Sequence, residues 1–221
     1  MSKTAVLLGA TGLTGSHLLE RLQDDDKYQE IKIFTRNSTG KSHPKIKEFI
    51  VDMNNLEAQA EHFTGDDVFC CIGTTKSKTP DKDKYRQVDY GIPVDASKLA
   101  GKNNTSKFIV ISSMGAHHKS KIFYNRIKGE MERDVQFYNS QETYIFRPSL
   151  ISGKRDEKRL GEKVAKVIFS IINPILPKKM KSIHPKTIAS AMVKVAHEGY
   201  KDVRITSDVI RNLAEDDRNR T

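Results

Sequence analysis

Apolar and polar positions alternate along this chain in blocks of two periods, and the first change of period is the sharpest. Thr4-Ala5-Val6-Leu7-Leu8 runs straight into glycines at 9, 12 and 15, after which Leu18, Leu19 and Leu22 recur at helical spacing. A strand, a tight turn and a helix are expected in that order. Further strand-like runs follow at 30–36, 49–52, 67–73, 107–113 and 143–147. Helices are expected near 56–63 and over 90–101 and 124–138. Pro93 makes the second of these start late or kink, because its ring removes an N–H and clashes with the preceding turn.

Apolar runs separated by helix-length segments imply a parallel sheet covered on both faces. The expected fold class is α/β, a doubly wound parallel-sheet Rossmann fold, with ligands beyond the carboxyl ends of the strands. After about residue 150 the pattern changes. Over 160–172, Val164, Val167, Ile168, Ile171 and Ile172 fall on one side and Lys163 and Lys166 on the other, with Pro174 and Pro177 closing the segment. A helix over 185–197, a short strand over 203–206 and a frayed polar tail over 215–221 follow. The expectation is a single domain over 1–221, to which 150–221 contributes a small substrate cap.

Composition narrows the class. A chain of 221 residues, 37% hydrophobic and 30% charged, is long enough for one well-cored globular domain with a very polar surface. Met1-Ser2-Lys3-Thr4 leads directly into the first strand, so no secretory signal is expected, and no apolar run approaches the ~18 residues of a membrane span. A cytoplasmic location follows as the expectation. Cys70 and Cys71 are adjacent in an apolar run and read as buried, reduced thiols. Neither Cys-x-x-Cys nor a His/Cys cluster occurs, so no metal site is expected. The net charge of +10 favours anionic partners. Lysines cluster at 76–84, 154–166 and 178–186, but the aromatic interleaving that stacks bases is missing, and no nucleic-acid site is expected. The basic 160–172 helix is expected to pack on the body of the protein rather than on a membrane.

The glycine spacing carries the first piece of chemistry. Gly9-x-x-Gly12-x-x-Gly15 after a strand, with Thr11, Leu13 and Thr14 between the glycines, presents backbone N–H groups and a positive helix end to a dinucleotide diphosphate. Gly9 allows the sharp turn, Gly12 the approach of the pyrophosphate and Gly15 the close packing of helix on strand. NAD sites place an acid at the end of the second strand, where this chain has Arg36. A guanidinium pairs bidentately with a 2′-phosphate, so NADP is expected over NAD. Asp52, with Met53 beside it, is placed to accept from the adenine amine, and Gly73-Thr74-Thr75 lets the backbone pass the cofactor.

Tyr124 and Lys128 stand one helical turn apart, and an ammonium near a phenol favours the phenolate. Spacing alone carries little weight, since seven tyrosines in a lysine-rich chain give about one such pair by chance, and Tyr28 with Lys32 is another. Context distinguishes Tyr124: it opens a helix soon after Ser112-Ser113, which ends the fifth strand.

The glycine turn, Ser112-Ser113, Tyr124-x-x-x-Lys128 and Arg147-Pro148 in this order resemble the short-chain dehydrogenase/reductase superfamily in its atypical and extended branches. Three segments look like the Tat-interacting protein family: Cys70-Cys71-Ile72-Gly73-Thr74-Thr75, Ser112-Ser113-Met114-Gly115-Ala116 and Lys128-Gly129-Glu130-Met131-Glu132, joined later by Phe146-Arg147-Pro148. Val88-Asp89 matches a further family segment. The resemblance implies an NADPH-binding Rossmann domain with Ser113, Tyr124 and Lys128 as the matching active-site residues, and Ser112, Arg147 and Pro148 around the cofactor. It implies a reductase of a small carbonyl compound. Some members are described as regulatory, so the alternative is an NADPH-sensing interaction protein in which the cofactor orders 74–86 or the cap for a protein partner. A sugar-nucleotide epimerase or dehydratase ranks last, since the chain is short for the substrate domain such enzymes carry.

Overall fold

The computed structural model describes residues 2–138, 142–152 and 180–218. From the first strand, β1 (Lys3–Leu8), the sheet grows one way through β2 (Tyr28–Thr35) and β3 (Ile46–Ile50). It grows the other way through β4 (Asp67–Cys70), β5 (Lys107–Ile111), β6 (Glu142–Arg147) and β7 (Arg204–Thr206). Every pairing is parallel, giving the order β3-β2-β1-β4-β5-β6-β7. The winding reverses between β1 and β4, and a crevice opens at the carboxyl ends of those strands.

The helices are α1 (Leu13–Gln23), a short α2 (Lys82–Arg86), α3 (Ile92–Lys102), α4 (Phe123–Tyr138), α5 (Pro185–Glu198) and α6 (Ser207–Arg218). Alternating residues of the strands feed two cores. Ala5, Leu7, Phe69, Ile109 and Phe146 pack under α1, α5 and α6, whereas Val6, Leu8, Val68, Val110 and Ile145 pack under α3 and α4. Central strands apolar on both faces are what a doubly covered parallel sheet requires.

Several elements differ from expectation. The third strand lies upstream, at Ile46–Ile50, because this edge strand is only half-buried and carries Lys47 and Glu48. The helix expected over 56–63 is a single 3₁₀ turn, Leu56–Gln59. The helix around Pro93 begins earlier, as α2, and passes through a π turn at Gln87–Gly91 before α3. Pro93 sits just beyond that wider turn, where its missing N–H is least costly. In the C-terminal third, β7 completes the sheet and α5 packs on α1 through Ile188, Met192 and Val195, so 180–218 build the layers of the domain. The 160–172 helix candidate and its closing prolines lie outside the described residues. The expected frayed tail from 215 is corrected too: α6 continues to Arg218, with Ile210 and Ala214 in the core and Asp216 3.4 Å from Lys194.

At the amino edge of the sheet the polar groups answer one another. Asp67, fully buried at the start of β4, accepts from Lys3 Nζ at 2.8 Å and from the Tyr28 hydroxyl at 2.6 Å. His197 of α5 stacks on Tyr28 and lies 2.6 Å from Asp25. Among the described residues no helix is long and apolar enough to cross a membrane.

Candidate active site

The turn after β1 is fixed by contacts no side chain would survive. Gly9 has φ of +84°, and a Cβ there would fall 2.8 Å from the Cys71 carbonyl. A Cβ on Gly15 would come within 2.0 Å of the Gly9 oxygen, so helix and strand meet only because both residues are glycine. Gly12 N–H donates to Gly9 O at 2.9 Å, and Gly12 itself is extended. No side chain caps the first turn of α1. Helix N–H groups left in that state are an anion site.

Four elements converge on one cleft of about 590 Å³. Thr11, Gly12, Leu13 and Thr14 come from the turn, and Gly73, Thr74 and Thr75 follow β4. Ser112 follows β5, and Tyr124 and Lys128 project from the first turns of α4. Tyr124 is 38% exposed, whereas Lys128 is 3% exposed. Lys128 Nζ lies 3.0 Å from Asp89 Oδ1 and donates to Ile111 O at 3.4 Å. The other Asp89 oxygen accepts the Thr74 N–H at 2.8 Å. Burial pushes the Lys128 ammonium toward losing its proton, but the Asp89 carboxylate and the Tyr124 phenol outweigh it and hold the pKa above its ordinary value. The cleft therefore contains a buried cation whose charge is secured.

The two serines after β5 are not equivalent. Ser112 Oγ donates to Glu132 Oε1 at 2.5 Å. Ser113, 8% exposed, does not line the cleft as Ser112 does, and its buried hydroxyl has no hydrogen-bond partner among the described residues. A buried hydroxyl left in that state is costly unless something else fills its valence.

Other expected residues lie apart. Arg36 stands exposed just after β2 and makes no hydrogen bond or ion pair among the described residues. Asp52 is exposed and caps its own turn, accepting from Asn54 N at 2.9 Å. The Met53 side chain is buried in the core beneath α3. Arg147 turns away from the cleft and grips Glu132, through Nε at 2.8 Å and through Nη2. Pro148 contributes its carbonyl to Met114 N at 2.9 Å. Asp89 and Glu132 organise the site although neither stood out for its chemistry in the sequence. Only the family-like segments Val88-Asp89 and Lys128–Glu132 contained them. Cys71 lines the cleft, while burial pushes the Cys70 thiol up to about 11, which leaves it inert.

A family model described as NAD(P)H-binding matches residues 9–198. Protein HTATIP2 of Rattus norvegicus is 30% identical over 172 residues, covering 76% of this chain and 71% of that one. Together these decide the matter. The chain belongs to the NAD(P)H-binding family, among the Tat-interacting, atypical short-chain dehydrogenase/reductase proteins. Protein fmp52, mitochondrial, of Aspergillus fumigatus is 31% identical over 176 residues, covering 76% of this chain and 75% of its own. Among solved structures, the UDP-glucose 4-epimerase of Thermotoga maritima superposes with a TM-score of 0.70 at 15% identity, over 96% of this chain and 82% of that one. MoeE5, in complex with UDP-glucose and NAD, gives 0.69 at 12% identity, over 96% and 81%. At such identities these likenesses show the shared fold. The cleft just described lies at the reversal point of the parallel sheet, where open sheets of this kind form their crevice.

Proposed function

We propose that this chain is an NADP-dependent reductase of a small carbonyl compound. The observation that carries the reading is that Tyr124 and Lys128 line the same cleft as the glycine turn, with Lys128 kept as an ammonium by Asp89. The residues fit a dinucleotide: the first turn of α1 is uncapped, and Arg36 stands without a partner among the described residues at the end of β2. Backbone N–H groups at 13 and 14 bind the diphosphate, and Arg36 takes the 2′-phosphate as a fork. When bound, the nicotinamide supplies the hydride. Ser113, whose buried hydroxyl is unpaired, donates to the substrate carbonyl. Tyr124 gives its phenolic proton to the same oxygen, and the Lys128 charge stabilises the phenolate that results.

Calorimetric titration with NADPH and NADH tests this directly. NADPH is expected to bind more tightly, and Arg36→Glu to weaken it at least about tenfold while changing NADH little. Equal affinities would remove the NADP preference, and binding of neither would overturn the reductase.

A second reading is favoured by one contact. Thr74 N–H is held by the same Asp89 that holds Lys128, so occupancy at Lys128 is felt in the loop after Gly73. That linkage suits an NADPH-sensing interaction protein, for which Tyr124→Phe would leave partner binding intact. A cytoplasmic location is part of the proposal. The word mitochondrial in the names of the fungal relatives belongs to those proteins, and organelle fractionation finding the chain with a mitochondrial marker would overturn it here.

A further inference from the structure

A second cavity, of about 430 Å³, lies beside α4 at the β6–β7 edge of the sheet. It belongs to the face that carries α3 and α4, while Ile205 of β7 packs in the opposite core with α6 and leaves Arg204 and Thr206 outward. Ile145 pairs with Arg204 and Arg147 with Thr206, so the two arginines are diagonal neighbours on one face. Both reach the same carboxylate. Arg147 grips Glu132 with two nitrogens, and Arg204 Nε lies 3.5 Å from Glu132 Oε2. Glu132 is 2% exposed and, among the described residues, is the one acid lining the cavity.

The charges at the floor do not cancel. One carboxylate faces two guanidiniums, while the Arg133 charge at the rim is answered by Asp134 at 2.6 Å. The Arg204 side chain is 47% exposed and makes no hydrogen bond among the described residues, so its two terminal nitrogens are open. His117 and His118, stacked on each other, and Gln136 add polar wall. The volume is that of a small-molecule site. A ligand carboxylate would duplicate what Glu132 already provides. A phosphate monoester brings a second charge and a third oxygen, which suits the open terminal nitrogens of Arg204 beside the Arg147 charge, whose Nε and Nη2 hold Glu132.

We propose that this cavity binds the phosphate group of a small phosphomonoester, held by Arg147 and Arg204, at a site separate from the dinucleotide cleft. The two sites are joined physically. Glu132 accepts from Ser112, which lines the cleft and precedes Ser113, so a ligand that draws on Arg147 and Arg204 acts one residue from the unpaired hydroxyl.

Calorimetric titration of the full chain with methyl phosphate, at constant ionic strength and with and without saturating NADPH, tests the site. Binding that persists with NADPH present and weakens at least about tenfold in Arg204→Ala is the expected result. Arg204→Lys, which keeps the charge and loses the fork, should fall between. NADPH affinity should be the same in wild type and Arg204→Ala. Parallel titration with inorganic phosphate distinguishes a free ion from an ester, and tighter binding of the free ion overturns the ester. The proposal falls if methyl phosphate does not bind, if Arg204→Ala binds it equally, if NADPH displaces it, or if acetate binds as tightly. Should NADPH itself fail to bind, the reductase falls alone, because the Arg204→Ala comparison does not use it.

Discussion

Two tyrosine–lysine pairs of identical spacing lie at opposite edges of the sheet, and their environments make them different chemical objects. Tyr28 and Lys32 stand on β2, where four residues span about 13 Å, against about 6 Å along a helix. Tyr28 is fully buried and its hydroxyl donates a hydrogen bond to Asp67, while Lys32 donates to Thr64 O at 2.9 Å. Burial and the Asp67 charge both hold the Tyr28 phenol far above its ordinary pKa, so it stays a hydrogen-bond donor. Tyr124 and Lys128 stand on α4 and share an open cleft, and only the lysine of that pair has a carboxylate partner. At the amino edge Asp67, Tyr28, Lys3, His197 and Asp25 pair with one another, leaving Asp67 Oδ1 and His197 Nδ1 of this group without a partner among the described residues; at the carboxyl edge an uncapped helix, an exposed phenol and an unpaired Ser113 hydroxyl remain. A motif acquires chemistry from what its neighbours leave unsatisfied.

The comparison can be broken most strongly at Tyr124. Tyr124→Phe should lower hydride-transfer turnover by about 10²–10⁴ with NADPH affinity and unfolding midpoint unchanged; an intact rate in a demonstrated assay would end the acid/base role. Tyr28→Phe should show the opposite pattern. Loss of its hydrogen bond to a buried carboxylate should cost about 2 kcal/mol in urea unfolding, with cofactor binding preserved. Equal effects of both substitutions on cofactor binding would erase the distinction between the edges.

The smallest effect concerns acid. Burial raises the Asp25 pKa, but the hydrogen bond with His197 and the Lys27 N–H outweigh it, so the folded value lies below the ordinary carboxyl value. A carboxylate of that kind contributes its stability above about pH 4 and loses it as the pH falls through the lowered folded value. Asp25→Asn should therefore flatten the acid limb of the stability profile, by lowering stability near neutral pH by under about 1 kcal/mol while leaving the acid end little changed. An unaltered acid limb in urea titrations at pH 6 and pH 3 would show that the pair contributes nothing there.

Much of this was legible because burial writes itself into composition. β1, β4 and β5 are apolar on both faces and were read from their runs, and the glycine turn was read from spacing that sterics alone would enforce. β3 was read displaced because an edge strand is half polar. α6 was missed because the charges at 215–218 hide the apolar positions 209, 210, 213 and 214 that seat it. Within the site, Tyr124 and Lys128 were legible from their spacing only together with their place at a helix start soon after Ser112-Ser113. Asp89 and Glu132 resisted, since each is a buried acid whose meaning lies in partners 39 and 20 residues away in sequence, Lys128 and Ser112. Arg147 was expected at the cofactor for the same reason: its partner Glu132 could not be seen along the chain.

The π turn at Gln87–Gly91 makes the candidate site depend on residue count as well as residue type. Removing a single residue there would return the segment to regular α-helical phase and rotate everything on its N-terminal side by about 100° relative to α3. Asp89 would swing off Lys128 and release Thr74, although no side chain in the cleft had been altered. Insertions and deletions in this short stretch are thus under a constraint that substitutions are not, and related chains that conserve every cleft residue but differ in length here would have lost the secured cation.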